Sequence, residues 1–553
     1  MKKWLVTKTK KKDDYYVGLA ISAGYGKGYD KSISIGSLSK LSTKHNDPIS
    51  ILKKIAESLP LDADKNYVKN KVAEYFETSK IEIGTYNVGI ELLYKVIDEI
   101  NLFKDINTGK RKECEQIFKF LIAKRILEPE SLIRSFNLKD KYVNEINIQK
   151  STVYNFLDFV ADNKQKLVAN INEKMNVSTK REANLIFLDA TTLYFETFVN
   201  ANENLKEKFS LKRAGYSKDG KFKEDQVVLG MVTDTNGIPL NFVLLPGNIA
   251  DQKTFIPTIH ELSEIYNLQN VTVVADKGMN SAQNKDYVKY QNMHYIFPIR
   301  LKGESHKFKQ YVVSETDYQK VDGLLYKEIQ QVDDRAENRI KYRRIIIYDT
   351  WKAKRDKILR KEVLDRFDKI KGKDGTATAK SMISYKKYKF FKEIQESKIA
   401  IDVEMLKEDA KLDGYVAFET TRYDLTAREI VDIYKKQWTI ERNFRDLKST
   451  LDARPMYVRT DNHIFGHITI CFLGLVVLNY LTWYINHKQK DKWGVLDRVT
   501  PSQIIESIKV ANINFTKVDG KITYSSSWDN EIFRNEIELY REIKMLVSDG
   551  FSV

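Results

Sequence analysis

Two short apolar runs, each ending on an aspartate, constrain the fold of this chain more than any other feature. Residues 185–188 read Leu-Ile-Phe-Leu before Asp189, and residues 271–275 read Val-Thr-Val-Val-Ala before Asp276. Their β-branched and aromatic residues predict two buried strands. A charged group at the end of a buried strand costs free energy unless it is paired or coordinated. Each aspartate could still cap a turn or join an ion pair on its own.

The residues around these runs predict a mixed sheet. Residues 227–232 and 240–245 are further apolar strands, and the Asn-Gly pair between them is a strong hairpin signal. A helix is predicted over residues 255–266 and another strand over residues 295–299. Three antiparallel strands followed by a helix and further strands indicate a mixed α/β fold in which helices cover the sheet.

A third acidic residue, Glu441, lies in a segment of strongly helical composition, residues 434–448. In one continuous helix, Tyr434, Gln437 and Lys448 would share a face with Glu441, while apolar residues on another stripe anchor the helix. A carboxylate beside a phenol, an amide and an ammonium group is unusual for a core face. The pattern suits a helix that holds a metal ion beside a phosphate.

Three carboxylates brought together would repel each other, and a divalent cation removes that conflict. Mg²⁺ prefers oxygen ligands and keeps waters that a substrate can replace. Two such ions about 4 Å apart can activate an attacking oxygen and stabilise the leaving oxygen of a phosphodiester. The strand, strand and helix order favours one shared site over three separate structural roles. We therefore expect Asp189, Asp276 and Glu441 to bind two Mg²⁺ or Mn²⁺ ions.

Charge and cysteine usage narrow the classes of partner and compartment. Lys and Arg total 92 against 76 Asp and Glu, which gives a formal net charge of +16. Such an excess favours a polyanionic partner, although a solvated basic surface without a partner has the same composition. Cys114 and Cys471 lie far apart, which argues against a disulfide framework and fits a reducing cytoplasm. The N-terminal residues contain no apolar signal-peptide region.

One long apolar stretch, residues 468–485, has two interpretations. It reaches the minimum length of a membrane span. A helix that is apolar all round can equally be the buried centre of a large domain, and we expect the buried helix here.

The chain divides into six predicted regions. They are a β-hairpin region over 1–60, a helical region over 61–180, a first core part over 181–301, a β-rich insertion over 302–410, a second core part with the Glu441 helix over 411–487, and a tail over 488–553. The helical region would hold a helix-turn-helix DNA-binding unit or a plain bundle. The tail, with an amphipathic helix near residues 530–545, could contribute to dimerisation.

Several motifs resemble those of bacterial insertion-sequence transposases of the DDE type. The strongest are Leu-Asp-Ala-Thr-Thr at 188–192, Gly-Tyr-Ser-Lys-Asp at 215–219, the stretch 229–251 with its Pro-Gly-Asn, and Ala-Asp-Lys-Gly-Met at 275–279. The resemblance runs through most of the chain, and these four motifs fall between residues 188 and 279.

The helical segment is similar to the family motif Tyr-x2-Arg-x3-Glu-x6-Lys. Tyr434, Glu441 and Lys448 match it, whereas Gln437 stands at the arginine position. This departure leaves one phosphate contact to be supplied by a neighbouring basic residue. The DNA-contact residues that we expect on this segment are Tyr434, Gln437, Arg442, Arg445 and Lys448.

The resemblance implies an RNase H-like core whose first acid lies on the first strand and whose second follows the fourth. A β-rich insertion would precede the glutamate helix. The implied function is a metal-dependent transposase that binds terminal inverted repeats, cleaves DNA and joins it to target DNA, as a homodimer on DNA and without a membrane. The alternatives are a related metal nuclease without strand transfer and a DNA-binding protein without catalysis. A protein anchored to a membrane by residues 468–485 is a third.

Overall fold

The computed structural model describes most of the 553 residues. The described residues are 2–11, 14–24, 26–42, 47–77, 81–106, 111–142, 152–181, 184–198, 210–217, 220, 224–333, 340–378, 390–395, 398–488, 499–518 and 521–526. The predicted helix near residues 530–545 and two residues of the 215–219 motif lie outside them.

The secondary structure is mixed. The strands are β1 Trp4–Lys11, β2 Asp14–Ser22, β3 Tyr29–Ser37, β4 Ile81–Asn87, β5 Leu185–Phe198, β6 Arg213–Ala214, β7 Glu224–Thr233, β8 Pro239–Pro246, β9 Thr272–Ala275, β10 His294–Pro298, β11 Gln319–Val321, β12 Leu324–Asp333, β13 Ile340–Tyr348, β14 Ala377–Thr378, β15 Phe391–Gln395, β16 Lys398–Ile401, β17 Tyr415–Thr420, β18 Asn512–Val518 and β19 Lys521–Ser526. The helices are α1 Leu38–Ser42, α2 Pro48–Ser58, α3 Lys65–Glu77, α4 Ile90–Ile100, α5 Arg111–Leu127, α6 Leu132–Asn137, α7 Thr152–Asp162, α8 Lys164–Thr179, α9 Phe255–Ser263, α10 Ala282–Tyr290, α11 His306–Val313, α12 Thr350–Ile370, α13 Val403–Lys411, α14 Ala427–Lys435, α15 Trp438–Arg445, α16 Asp461–Lys488 and α17 Pro501–Lys509.

The chain forms two compact units. The smaller one comprises Met1–Gly89, Lys141–Asn144 and Lys509–Val553. It contains the antiparallel sheet β1-β2-β3 and a second sheet in which β4 pairs with β18 and β18 with β19. Apolar side chains of β2 and β3 pack against α2 and α3. The predicted N-terminal hairpin is confirmed by β2 and β3, whereas β4 is a strand inside a region that we predicted to be helical.

The larger unit, Ile90–Asp140 and Glu145–Ile508, is built on one mixed sheet. Its strand order is β11-β12-β13-β17-β10-β9-β5-β7-β6, and β8 pairs with β7. β5, β7 and β8 run antiparallel in sequence order, and β9 and β10 run parallel to β5. The predicted mixed α/β fold with an RNase H-like core is confirmed by this arrangement.

The predicted β-rich insertion contains more helix than its sequence suggested. β12 and β13 extend the main sheet through β17, so these strands continue the core. The 21-residue helix α12 follows them. Its surface is heavily charged and only Val363 and Phe367 are buried, so its apolar spacing is too sparse to indicate a helix. Both side chains pack against the small sheet β14-β16-β15.

The two faces of the main sheet have different covers. Leu188 and Ala275 pack with residues of α9 and α10 on one face. Phe187 and Val274 point to the other face and pack with residues of α14. Because successive side chains of a strand alternate between faces, the residue after Leu188 and the residue after Ala275 are expected on the face that α14 covers.

Helix α16 occupies the interior of the larger unit. Within the part of the chain that the structure describes, it alone is long and apolar enough to cross a membrane, with a mean hydropathy of 2.0, and 94% of its most apolar window is buried inside the protein. It contacts α7 and α5. The buried-helix interpretation therefore fits the structure better than a membrane span does.

Two glycines of α16 differ in how closely another helix approaches, and this generates a stability prediction. A Cβ added at Gly466 would lie 2.3 Å from the carbonyl oxygen of Leu157, whereas one at Gly474 would meet its nearest neighbour, Ile126, at 3.6 Å. Gly466→Ala should lower the free energy of unfolding by about 1–3 kcal/mol because backbone must move. Gly474→Ala, the matched control, should be neutral or stabilise by up to about 1 kcal/mol. Equal effects in urea denaturation would contradict the close approach of α16 to α7.

Candidate active site

The two predicted aspartates stand side by side because of strand register. β5 and β9 are parallel neighbours, and their pairing ends at Leu188 opposite Ala275. Asp189 and Asp276 are the next residue on each chain. The preceding residues, Leu188 and Ala275, point to the face that α9 and α10 cover. Because side chains alternate between faces, both carboxylates are directed toward the face that α14 covers.

Asp189 lies inside its strand, which corrects the prediction that it ends one. β5 continues for nine residues beyond it, and Asp189 pairs with Met231 of β7. On its other side β9 has ended at Ala275, so β5 loses its parallel partner where the carboxylate begins. Asp276 does follow a strand end, as predicted, and a turn in which the Met279 amide donates to its carbonyl oxygen (2.8 Å) comes next.

Glu441 lies on α15, but the predicted continuous helix over 434–448 is wrong. α14 ends at Lys435, α15 begins at Trp438, and residues Asp446–Thr450 form a π-helical turn. At the junction the amide of Gln437 donates to the carbonyl of Tyr434 (2.9 Å), a spacing of three residues instead of four. This tighter winding changes the angular positions that a uniform 100° per residue gives.

Buried polar side chains fix α15 to the sheet. Gln437, at the junction before α15, donates from Nε2 to the carbonyl oxygen of Leu188 (3.2 Å). Two residues after Glu441, Asn443 donates to the carbonyl oxygen of Gly237 in the β7–β8 turn (2.8 Å). Asn479 of α16 donates to both Asn443 Oδ1 and Gly237 O. The helix that carries Glu441 is therefore anchored to β5 before its first residue and to the β7–β8 turn near its C-terminal end.

The three acids act together on one side chain, Tyr434. Burial is the largest cause that raises the pKa of Tyr434 well above its usual value, and the charges of Asp276, Glu441 and Asp189 raise it further. Each of the three carboxylates is therefore near enough to Tyr434 to disfavour ionisation of its phenol. Asp189 and Asp276 are partly exposed and Glu441 is exposed, which leaves all three accessible.

The donor set suits a hard divalent cation, although the carboxylates stand apart. Among the described residues no three His, Cys, Asp or Glu side chains are close enough together to hold a metal ion as they lie. The three acids offer only oxygen atoms, which Mg²⁺ and Mn²⁺ prefer. With two carboxylates on adjacent strands and the third on the helix above them, the residues present fit a divalent metal if Glu441 closes on the pair.

The predicted DNA-contact residues occupy different positions. Tyr434 is half-buried against Phe418 (ring centroids 4.9 Å apart), and Gln437 is only 6% exposed. The guanidinium of Arg442 lies over the Trp438 ring at 5.2 Å. Arg445 is exposed and Lys448 is partly exposed. A contact between Gln437 and DNA would require this side chain to leave its buried position.

One basic residue beside the site was missed by the sequence analysis. A Cβ added at Gly278 would lie 3.7 Å from Asp276 Oδ2 and 4.0 Å from Nη2 of Arg300, so both groups border the same loop. Arg300 follows β10, which runs parallel to β9. The sequence could have indicated Arg300, because it directly follows the predicted strand 295–299 and the carboxyl ends of adjacent parallel strands meet at one edge of a sheet.

The comparisons with known proteins assign the chain to a family. A model of the transposase DDE domain matches residues 180–477, more than half of the chain, and the chain belongs to this family. It is therefore a DDE transposase, an enzyme that cleaves DNA and transfers strands. Members of the family generally depend on divalent metal ions. The predicted family and enzyme class are confirmed, and the bacterial origin stays a prediction.

Solved structures add weaker similarities. The piggyBac transposase synaptic complex with hairpin DNA has 8% identity and a TM-score of 0.36, covering 78% of this chain and 82% of that one. The Mos1 transposase paired-end complex with the left transposon end has 11% identity and a TM-score of 0.15, covering 47% and 74%. No curated protein matches the chain. The family assignment comes from the domain match.

The shared effect of the acids on Tyr434 can be tested without metal. Asp276→Asn removes a negative charge that disfavours the phenolate, so the pKa of Tyr434 should fall. Asp432→Asn, on the same helix but paired with Arg428, is the matched control and should leave it unchanged. The measurement is the ¹³Cζ chemical shift of labelled tyrosine over the alkaline range in which the protein stays folded, with Tyr434→Phe to assign the signal. Ionisation of Tyr434 should begin at a lower pH in Asp276→Asn than in the wild type. A fall in both variants or in neither would contradict the convergence of the acids.

Proposed function

We propose that Asp189, Asp276 and Glu441 are the catalytic and metal-binding residues of this transposase, and that they hold two Mg²⁺ or Mn²⁺ ions. The observation that carries the proposal is that Asp189 and Asp276 directly follow the last paired residues of two adjacent parallel strands, while Gln437 anchors the start of the Glu441 helix to the residue before Asp189. Three acids on two adjacent strands and one helix need a common counter-charge when they close together.

Divalent ions held there would activate the attacking oxygen and stabilise the leaving oxygen of an in-line displacement at a phosphodiester. The protein's own groups do the rest. The pairing of β5 with β9 places the two aspartates side by side, and α15, anchored to β5 through Gln437, carries the glutamate. Tyr434, like other tyrosines, is protonated at neutral pH, and burial and the acids move its pKa further upward, so it is a neutral hydrogen-bond donor near them.

We assign the phosphate contacts to basic residues around the acids. Arg442, Arg445 and Lys448 follow Glu441 along α15 and the π-helical turn, and Arg300 borders Asp276. Arginine and lysine in such positions neutralise phosphates and release counterions. Gln437, also predicted as a DNA contact, is buried, so we do not include it among the phosphate contacts.

The substrate of cut-and-paste transposition follows from the chemistry. An enzyme that moves a DNA segment must recognise both ends of that segment, which supports terminal inverted repeats as the bound sequence and flanking or target DNA as the second substrate. Two ends cut by one kind of active site support a homodimer in the DNA complex, because a symmetric assembly presents one site to each end. Action in the cytoplasm stays a prediction.

Asp189→Asn tests the catalytic assignment. The amide keeps the shape of the side chain but loses the charge that binds a metal ion, so cleavage of plasmid DNA that carries the gene's flanking sequences should fall by orders of magnitude while DNA binding survives. Asp432→Asn is the control and should cleave normally. Retained Mg²⁺-dependent cleavage by Asp189→Asn would remove this residue from the site, and cleavage without joining in the wild type would favour a nuclease.

Lys448→Ala tests the DNA path along α15. Log affinity falls as log salt concentration rises, and loss of one phosphate contact should make this slope less steep by about 0.9. The control is Lys289→Ala on α10, the helix that covers the opposite face of the sheet, which should keep the wild-type slope. Binding to the flanking-sequence duplex across a salt series measures both. Equal slopes in all three proteins would mean that Lys448 does not meet the phosphate backbone.

A further inference from the structure

Gln437 joins two of the elements that carry the proposed catalytic acids, β5 with Asp189 and α15 with Glu441. Its Nε2 donates to the carbonyl oxygen of Leu188, 249 positions earlier in the chain. Leu188 immediately precedes Asp189 and is the last residue of β5 that pairs with β9. On the other side, Gln437 closes the junction between α14, which carries Tyr434, and α15, which carries Glu441.

The other end of the same side chain has no donor within the described residues. Gln437 is 6% exposed, and its Oε1 is buried without a hydrogen-bond partner there. A buried carbonyl oxygen without a donor costs free energy, and such groups in native proteins generally have a functional or solvent partner. What separates Gln437 from other buried amides is that this unpartnered oxygen belongs to a side chain bonded to the residue before Asp189, at the start of the Glu441 helix.

We propose that Gln437 is a positioning residue for the metal site: its amide group fixes the backbone at Asp189 relative to the Glu441 helix, and its carboxamide oxygen accepts a hydrogen bond from a water molecule at the acids. The proposal rests on the proposed function, because it concerns the same three carboxylates. Groups that orient metal ligands from behind change metal affinity although they never touch the ion. A neutral amide suits this place, because it adds no charge beside three acids.

A matched control lies in the same sheet. Gln226 of β7 is also fully buried, donates from Nε2 to the carbonyl oxygens of Tyr216 (3.0 Å) and Gly247 (2.9 Å), and also has an unpartnered Oε1 within the described residues. It lies opposite Tyr194, five residues beyond Asp189 along β5. Methionine at either position keeps the approximate volume and removes the amide. Gln437→Met loses one buried hydrogen bond and Gln226→Met loses two, so the control removes at least as much structure.

The test is a Mn²⁺ titration of the full-length protein without DNA, in which the concentration of free Mn²⁺ is measured by electron paramagnetic resonance. Gln437→Met should raise the Mn²⁺ dissociation constant about 10- to 100-fold. Gln226→Met should leave it unchanged, even if it lowers thermal stability as much. Equal dissociation constants in wild type and Gln437→Met would overturn the proposal, and so would equal increases in both variants, because that result indicates a general loss of packing.

Two further measurements keep this inference separable from the proposed function. Asp276→Asn must abolish Mn²⁺ binding; if it does not, or if the wild type binds no Mn²⁺, the metal site itself is wrong. Hydrogen exchange needs no metal: the amides of residues 185–192 should exchange faster in Gln437→Met than in wild type or Gln226→Met, because the Leu188 carbonyl has lost its anchor. Unchanged exchange there would overturn the positioning role whatever the titration shows.

Discussion

The parallel pairing of β5 with β9 is the constraint on which the site depends. The pairing between β5 and β9 stops at Leu188 and Ala275. The residues that follow, Asp189 and Asp276, therefore lie at the same level but are not paired with each other. Both residues are aspartates, and alternation turns both toward the face that α14 covers. The third proposed acid, Glu441, lies on α15, which the buried amides of Asn443 and Asn479 anchor to the β7–β8 turn.

Much of this was predictable because local patterns and the fold agree. The apolar runs before Asp189 and Asp276 indicated buried strands, the Asn-Gly pair at 236–237 indicated the β7–β8 hairpin, and the order of elements indicated a mixed sheet. The candidate acids were named because two follow apolar runs and one lies in a helical segment, although Asp189 lies inside its strand and the helix is broken before Glu441. The apolar stretch at 468–485 allowed two interpretations, and only packing against other helices decides between them.

The remainder depends on contacts between distant residues. The break between α14 and α15 leaves the backbone in helical angles, so composition carries no sign of it. Gln437 looked like a surface residue on a helical wheel, and its burial follows from a bond to a strand 249 positions away. α12 hides its helical period behind charge, because only two of its side chains need a core. Such features arise from tertiary packing, which local propensity does not encode.

The central claim is that one divalent-metal site unites Asp189, Asp276 and Glu441. Anomalous X-ray diffraction from crystals of the protein soaked in Mn²⁺ tests it most directly, because the ion's position is located independently of its ligands. The account predicts Mn²⁺ bound between Asp189 and Asp276, with a carboxylate oxygen of Glu441 drawn into coordination and Tyr434 beside it. Mn²⁺ bound elsewhere, or bound by the aspartates while Glu441 stays directed away from the ion, would contradict the account.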